Sequence, residues 1–182
     1  SKKISKMVSE KKRCFLSVEL PVEVVEEIKK VQSKIKDLFV GKLTEPENLH
    51  LTLKFLGELS DDQVEAVKNS LRSLDLSNFE VGLGEIGVFS EQFIRIVWVK
   101  LKGVNIQESV DKALVELFEK EQRFMSHITI ARVKQVKNKE KLLNSLNNIK
   151  VNNIKFKVNK FYLKKSELSN KGPVYKTIKA YE

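Results

Sequence analysis

His50-Leu51-Thr52-Leu53 and His127-Ile128-Thr129-Ile130 hold the only two histidines of the chain, each in a His-x-Thr pattern framed by aliphatic residues. With four threonines in 182 residues, a threonine two places after one histidine is about a 2% event, and after both about a 0.05% event. Two imidazoles suit a reaction that moves one proton off a nucleophile and another onto a leaving group. An unperturbed imidazole titrates near 6.5, so one can be neutral while its partner is charged. Each such transfer is worth on the order of 10²–10⁴ in rate. Phosphoryl displacement needs base and acid on opposite sides of phosphorus, because attacking and leaving oxygens lie roughly in line. Threonine hydroxyls can bond the non-bridging oxygens where charge accumulates.

Strand parity turns the pattern into geometry. Alternate residues of a strand share a face. Leu49, Leu51, Leu53 and Phe55 are expected to face a core, with His50, Thr52 and Lys54 opposite. Ile128 and Ile130 pack inward, with His127 and Thr129 on the other face. Lys54 is thereby a candidate phosphate contact. Strict alternation puts Arg132 with the core residues, unless the strand bulges or twists after Thr129 or the side chain reaches round its end.

Competing chemistries fit less well. A lone histidine on a strand usually serves structure, but two matched copies argue for chemistry. A catalytic zinc site wants three protein ligands, and the chain has no third histidine and one cysteine. No metal or cofactor is therefore expected. No Gly-flanked serine signals a Ser-His-Asp triad. Gly82-x-Gly84-x-x-Gly87 matches a dinucleotide fingerprint only formally, since no helix follows it.

The elements that must position these residues can be read from periodicity. Cys14, Leu16, Val18 and Leu20 alternate as a strand ended by Pro21. Val24, Ile28, Val31, Ile35 and Leu38 step as an amphipathic helix. Ser60-Asp61-Asp62-Gln63 is a capping box opening a second helix through Val64, Val67, Leu71 and Leu74. Strands over 79–89 and 93–101 turn near Ser90. Helices follow over 105–120 and 138–148, then strands over 153–165 and 173–181 joined at Gly172-Pro173. Residues 1–12 read as a polar extension and 13–182 as a single bilobal domain. The fold class is α+β, two similar lobes with antiparallel sheets flanked by helices and an active-site cleft between them.

Charge adds a partner. The formal net charge is +10. From Arg132 onward there are 14 Lys+Arg and 3 Asp+Glu, leaving 20 and 21 before it. The whole excess lies in the last third, which suggests a polyanion, nucleic acid first. A lysine-coated solvent face is the plain alternative. No apolar run approaches the roughly 20 residues of a membrane span, and Cys14 has no partner for an internal disulfide, so a cytoplasmic monomer is expected.

These residues resemble the 2H phosphoesterase superfamily, and within it the RNA 2′,3′-cyclic phosphodiesterases, also called 2′-5′ RNA ligase-like. The resemblance runs from Arg13 to Tyr181. Its blocks are Arg13–Pro21, Glu47–Gly57 around the first motif, Gly87–Phe89 with Ile94–Trp98, Ser126–Arg132 around the second, and Lys165–Leu168 with Lys171–Tyr175. Ser126 stands where a proline commonly precedes the second histidine. The resemblance implies metal-free hydrolysis of a terminal RNA 2′,3′-cyclic phosphate to a 2′-phosphate, tRNA fragments among the substrates, with weak reversible 2′-5′ ligation. It implies His50 and His127 as acid and base, in that order, and Thr52, Thr129 and Arg132 as phosphate contacts. Phe89, Phe93 and Tyr175 are candidates to stack on a base or line the cleft. Trp98 is expected in the core. Two other readings are an RNA-binding module with vestigial chemistry, and a 2H enzyme acting on 2′-5′ oligonucleotides or cyclic ADP-ribose phosphate.

Overall fold

The computed structural model describes residues 10–103, 106–122 and 125–182. Residues 1–9 of the expected extension lie outside the described residues. In chain order the elements are β1 (Lys12–Glu19), α1 (Val22–Ile35), β2 (Phe39–Leu43), β3 (His50–Leu59), α2 (Asp61–Ser70), β4 (Glu80–Val88), β5 (Ile96–Lys102), α3 (Ile106–Ala113), β6 (His127–Val136), α4 (Lys139–Asn148), β7 (Lys155–Lys157), β8 (Phe161–Ser169) and β9 (Gly172–Tyr181). They form two antiparallel sheets, ordered β3-β1-β8-β9 and β2-β6-β5-β4-β7. The α+β class with two sheet-based lobes is as the sequence predicts.

Each sheet is backed by one helix from each half of the chain. Helix α1 packs on β6 and α4, while α2 and α3 pack on β3. The amphipathic spacing of α1 explains its seat: Val24, Ile28, Val31 and Ile35 are all fully buried. The capping box of α2 closes as expected. Gln63 N–H donates to Ser60 Oγ at 3.2 Å and Ser60 N–H to Gln63 Oε1 at 2.8 Å.

Three boundaries differ from the periodicity. Helix α1 ends at Ile35, and Phe39 opens a strand that the sequence pattern missed. Regular helix in α3 stops at Ala113 rather than about 120; beyond it the Glu119 carbonyl accepts from Lys54 of β3 and the Glu121 N–H donates to Asp111. The strand expected over 153–165 is two strands. Segment β7 pairs with β4, then the chain crosses to the other sheet, where β8 pairs with β1.

The two motif strands share an irregularity. In β3, Thr52 pairs with Ser17 and Lys54 with Leu16, so Leu53 is an extra residue. In β6, Thr129 pairs with Trp98 and Ala131 with Val97, so Ile130 is extra. A bulge of this kind flips the parity of everything beyond it. After Leu53 the next side chain inward is therefore Lys54, 6% exposed, and Phe55 turns out, 75% exposed. After Ile130, Ala131 turns inward and Arg132 faces out. A second irregularity in β3 falls at Leu56, followed by Gly57 with φ of 78°, which glycine adopts without steric penalty.

Candidate active site

A cleft of about 500 Å³ lies between the sheets, and His50, Thr52, His127, Thr129, Arg132 and Tyr175 all line it. The sequence-predicted pairs from the two halves thus meet in one place. The bulge after Thr129 settles the parity conflict for Arg132 by turning it onto the face of His127.

Both imidazoles are held alike. His50 Nδ1 lies 2.7 Å from the Asn48 carbonyl and His127 Nδ1 lies 2.8 Å from the Met125 carbonyl, each two residues upstream. A carbonyl only accepts, so each Nδ1 carries its proton and each Nε2 is left for chemistry. Thr52 Oγ1 is 2.9 Å from His50 Nε2. With Nδ1 protonated in the neutral ring, that hydroxyl donates to Nε2.

Aromatic rings fix the ring planes. Phe15 stacks on His50 with centroids 5.3 Å apart, and Tyr175 meets it edge-on at 5.3 Å. On the other side Phe89 meets His127 edge-on at 5.1 Å and leans on Trp98 at 5.7 Å. The glycine of the fingerprint-like run has a packing role here. A Cβ on Gly87 would lie 2.5 Å from the Trp98 ring.

Burial first, and the charges of Lys164 and Arg132 after it, push the His50 pKa down to about 4, against a partly offsetting bond to Asn48. In the free cleft His50 is therefore neutral at neutral pH.

Several expectations need correcting. Lys54 does not reach the cleft. Its Nζ is buried, 2.7 Å from Asp111 Oδ1 and 2.9 Å from the Glu119 carbonyl, because the bulge at Leu53 turns it inward. Phe55, expected in the core, lines the cleft instead. Phe93 is exposed at the tip between β4 and β5, with Arg95 stacked 4.2 Å over its ring, and is not a cleft residue. Phe89, 58% exposed, packs edge-on against His127. Trp98 is half-buried behind Phe89 rather than fully in the core.

Phe15, Lys42 and Asn48 also line the cleft and were not singled out from sequence. Phe15 was within reach of the parity rule, since it alternates with Cys14 and Leu16. Lys42 sits on β2, the strand the periodicity missed, so nothing local pointed to it. Its Nζ donates 2.7 Å to the Lys171 carbonyl, bridging β2 to the turn between β8 and β9.

Two antiparallel lobes, with paired His-x-Thr strands facing one cleft, define a LigT-like phosphoesterase. The family model described as LigT like Phosphoesterase matches residues 18–98 and 104–175, and the chain belongs to that family. It is 35% identical over 175 residues to the RNA 2′,3′-cyclic phosphodiesterase of Methanocaldococcus jannaschii, covering 93% of this chain and 99% of that one. It is 31% identical to that of Methanothermobacter thermautotrophicus, covering 94% and 98%. Among solved structures, the protein TT0787 of Thermus thermophilus superimposes with a TM-score of 0.77 at 27% identity, covering 93% and 96%. The same fold appears in Escherichia coli LigT, with a TM-score of 0.71 at 21% identity, covering 95% and 98%. No described helix is long and apolar enough to cross a membrane.

Proposed function

We propose that this protein hydrolyses the 2′,3′-cyclic phosphate at an RNA end to a 2′-phosphate, using its two histidines and no metal. One observation carries the reading: two imidazoles from two lobes, each locked by its Nδ1 proton, share a cleft with Thr52, Thr129 and Arg132. Relatives at 31–35% identity bearing the name RNA 2′,3′-cyclic phosphodiesterase support the substrate.

Water attacks phosphorus as the bond to the 3′-oxygen breaks. His127 takes the proton from water and His50 gives one to the departing oxygen. Thr52, Thr129 and Arg132 hold the non-bridging oxygens. His50 starts neutral, so its proton must arrive with the substrate. A phosphate anion at about 4 Å is worth about 4 kcal/mol at an effective dielectric of about 20, or about 3 pKa units. That is enough to raise His50 from about 4 to near neutrality. The incoming anion also competes for the Thr52 hydroxyl, freeing Nε2 to take its proton.

The same pair runs the ligation direction when a 5′-hydroxyl replaces water, giving a 2′-5′ bond. The basic C-terminal third is suited to the RNA backbone away from the reacting end. The test is an oligoribonucleotide with a 2′,3′-cyclic end, assayed in chelator. A 2′-phosphate product supports the reading. A 3′-phosphate, or salt-sensitive binding without turnover, contradicts it.

A further inference from the structure

Arg132 reaches the cleft only because Ile130 is bulged. Without that extra residue, Arg132 would share the face of Ile128 and Ile130, both fully buried. The bulge is therefore part of the site, and something must hold it.

Gln32 does so from outside the sheet. It lies on the buried face of α1, 5% exposed, among apolar residues. Its Nε2 donates 2.9 Å to the Ile130 carbonyl, 98 residues away, and 2.9 Å to the Thr44 carbonyl. Both amide hydrogens are used. The Thr44 backbone N–H also donates 2.9 Å to Ile130 O, so the bulge carbonyl is held twice. Thr44 itself lines the cleft.

The other half of the chain repeats the device with different chemistry. Val31-Gln32-x-x-Ile35 on α1 corresponds in spacing to Val110-Asp111-x-x-Leu114 at α3. Asp111 Oδ1 accepts from Lys54 at 2.7 Å, and Lys54 follows the extra Leu53 of the β3 bulge. Each helix thus places a buried polar group at the same step, against the bulge of a motif strand. Apolar packing alone would not need either group.

We propose that Gln32 is a positioning residue that acts on the reaction through Arg132, by fixing the Ile130 bulge. This rests on the reading of Arg132 as a phosphate contact. Gln32 touches no substrate. Loss of its two bonds leaves the bulge carbonyl on the Thr44 N–H alone and lets Arg132 drift from the phosphate, and small misplacements of a binding group are costly.

The test is a double-mutant cycle of Gln32→Leu and Arg132→Ala, reading kcat/KM on a 2′,3′-cyclic phosphate, Kd for inorganic phosphate, and Tm. Gln32→Met, unbranched and of similar volume, serves if the leucine variant does not fold. Gln32→Leu is expected to lower kcat/KM about tenfold and weaken phosphate in the parent, yet change either less than about twofold in Arg132→Ala. Its Tm shift should be alike in both backgrounds. An equal activity loss in both backgrounds, or a Tm shift with no activity loss, overturns the proposal. If Arg132→Ala alone changes neither phosphate binding nor kcat/KM, the reading of Arg132 fails instead.

Discussion

Phe55 and Arg132 stand at the same place in the two halves of the molecule. Each is five residues after its histidine, each is turned out by a bulge, and each lines the cleft. The halves share a frame but present an aromatic ring on one side and a guanidinium on the other. Near-symmetric strands thereby give an asymmetric site.

That asymmetry predicts different kinetic signatures. Arg132→Ala should lower kcat/KM by about 10²–10³, the size expected for losing a charged contact to a transition-state oxygen. Phe55→Ala should raise KM for a nucleotide substrate by roughly 5- to 160-fold, with kcat nearly unchanged, if its ring meets the base with the usual 1–3 kcal/mol of a stack. Steady-state kinetics on both variants check this. Equal effects on kcat from both would contradict it.

His50 should gain a proton when phosphate binds. Its free pKa of about 4 leaves it neutral at pH 6–7, and the anion stabilises the charged form. Calorimetry of inorganic phosphate binding in buffers of different ionisation heat should show proton uptake that disappears in His50→Gln. The sign for stability runs the other way. Because burial depresses the folded pKa, the unfolded chain binds the proton first as pH falls below about 6.5. Stability held above that pH should fall toward pH 4, and His50→Gln should flatten part of the decline.

Lys54 should behave as structure and not as a phosphate contact. Burial alone would raise the Asp111 pKa, but the bonds from Lys54, the Glu121 backbone N–H and Gln107 outweigh it and hold the carboxyl low. Lys54→Met leaves that carboxylate buried and unpaired, and should destabilise by about 3–5 kcal/mol. A matching Asp111→Leu should recover much of the loss in denaturant unfolding. A phosphate Kd that rises in Lys54→Met while stability is unchanged would return Lys54 to the cleft.

Gly87 links a glycine to the His127 ring. Gly87→Ala pushes the Trp98 ring, which supports Phe89, which supports His127. The overpacking should cost about 1–3 kcal/mol of stability and lower kcat more than it raises KM. Thermal melts and kinetics on the one variant check both parts.

Much of this site was legible in the sequence, and the failures share a cause. The repeated His-x-Thr, its aliphatic backing and the capping box of α2 are local patterns, and local patterns survive folding. Parity holds from His50 to Leu53 and from His127 to Ile130, then breaks at both bulges. A bulge is made by pairing with a neighbouring strand, so no run of residues reveals it. It misplaced Lys54 and Phe55, and it set the puzzle of Arg132. Strand β2 was missed for a related reason: its burial depends on pairing with β6 at Gly41, where a Cβ would run into the Arg132 carbonyl oxygen. Phe39 is its only fully buried residue, so the strand has no inward face to read.

The most direct test of the central claim is turnover of an oligoribonucleotide 2′,3′-cyclic phosphate in excess chelator, by the parent, His50→Ala and His127→Ala. The parent should give a 2′-phosphate product, and each variant should lose several orders of magnitude in rate. Full activity in either variant, or activity abolished by the chelator alone, would contradict that claim.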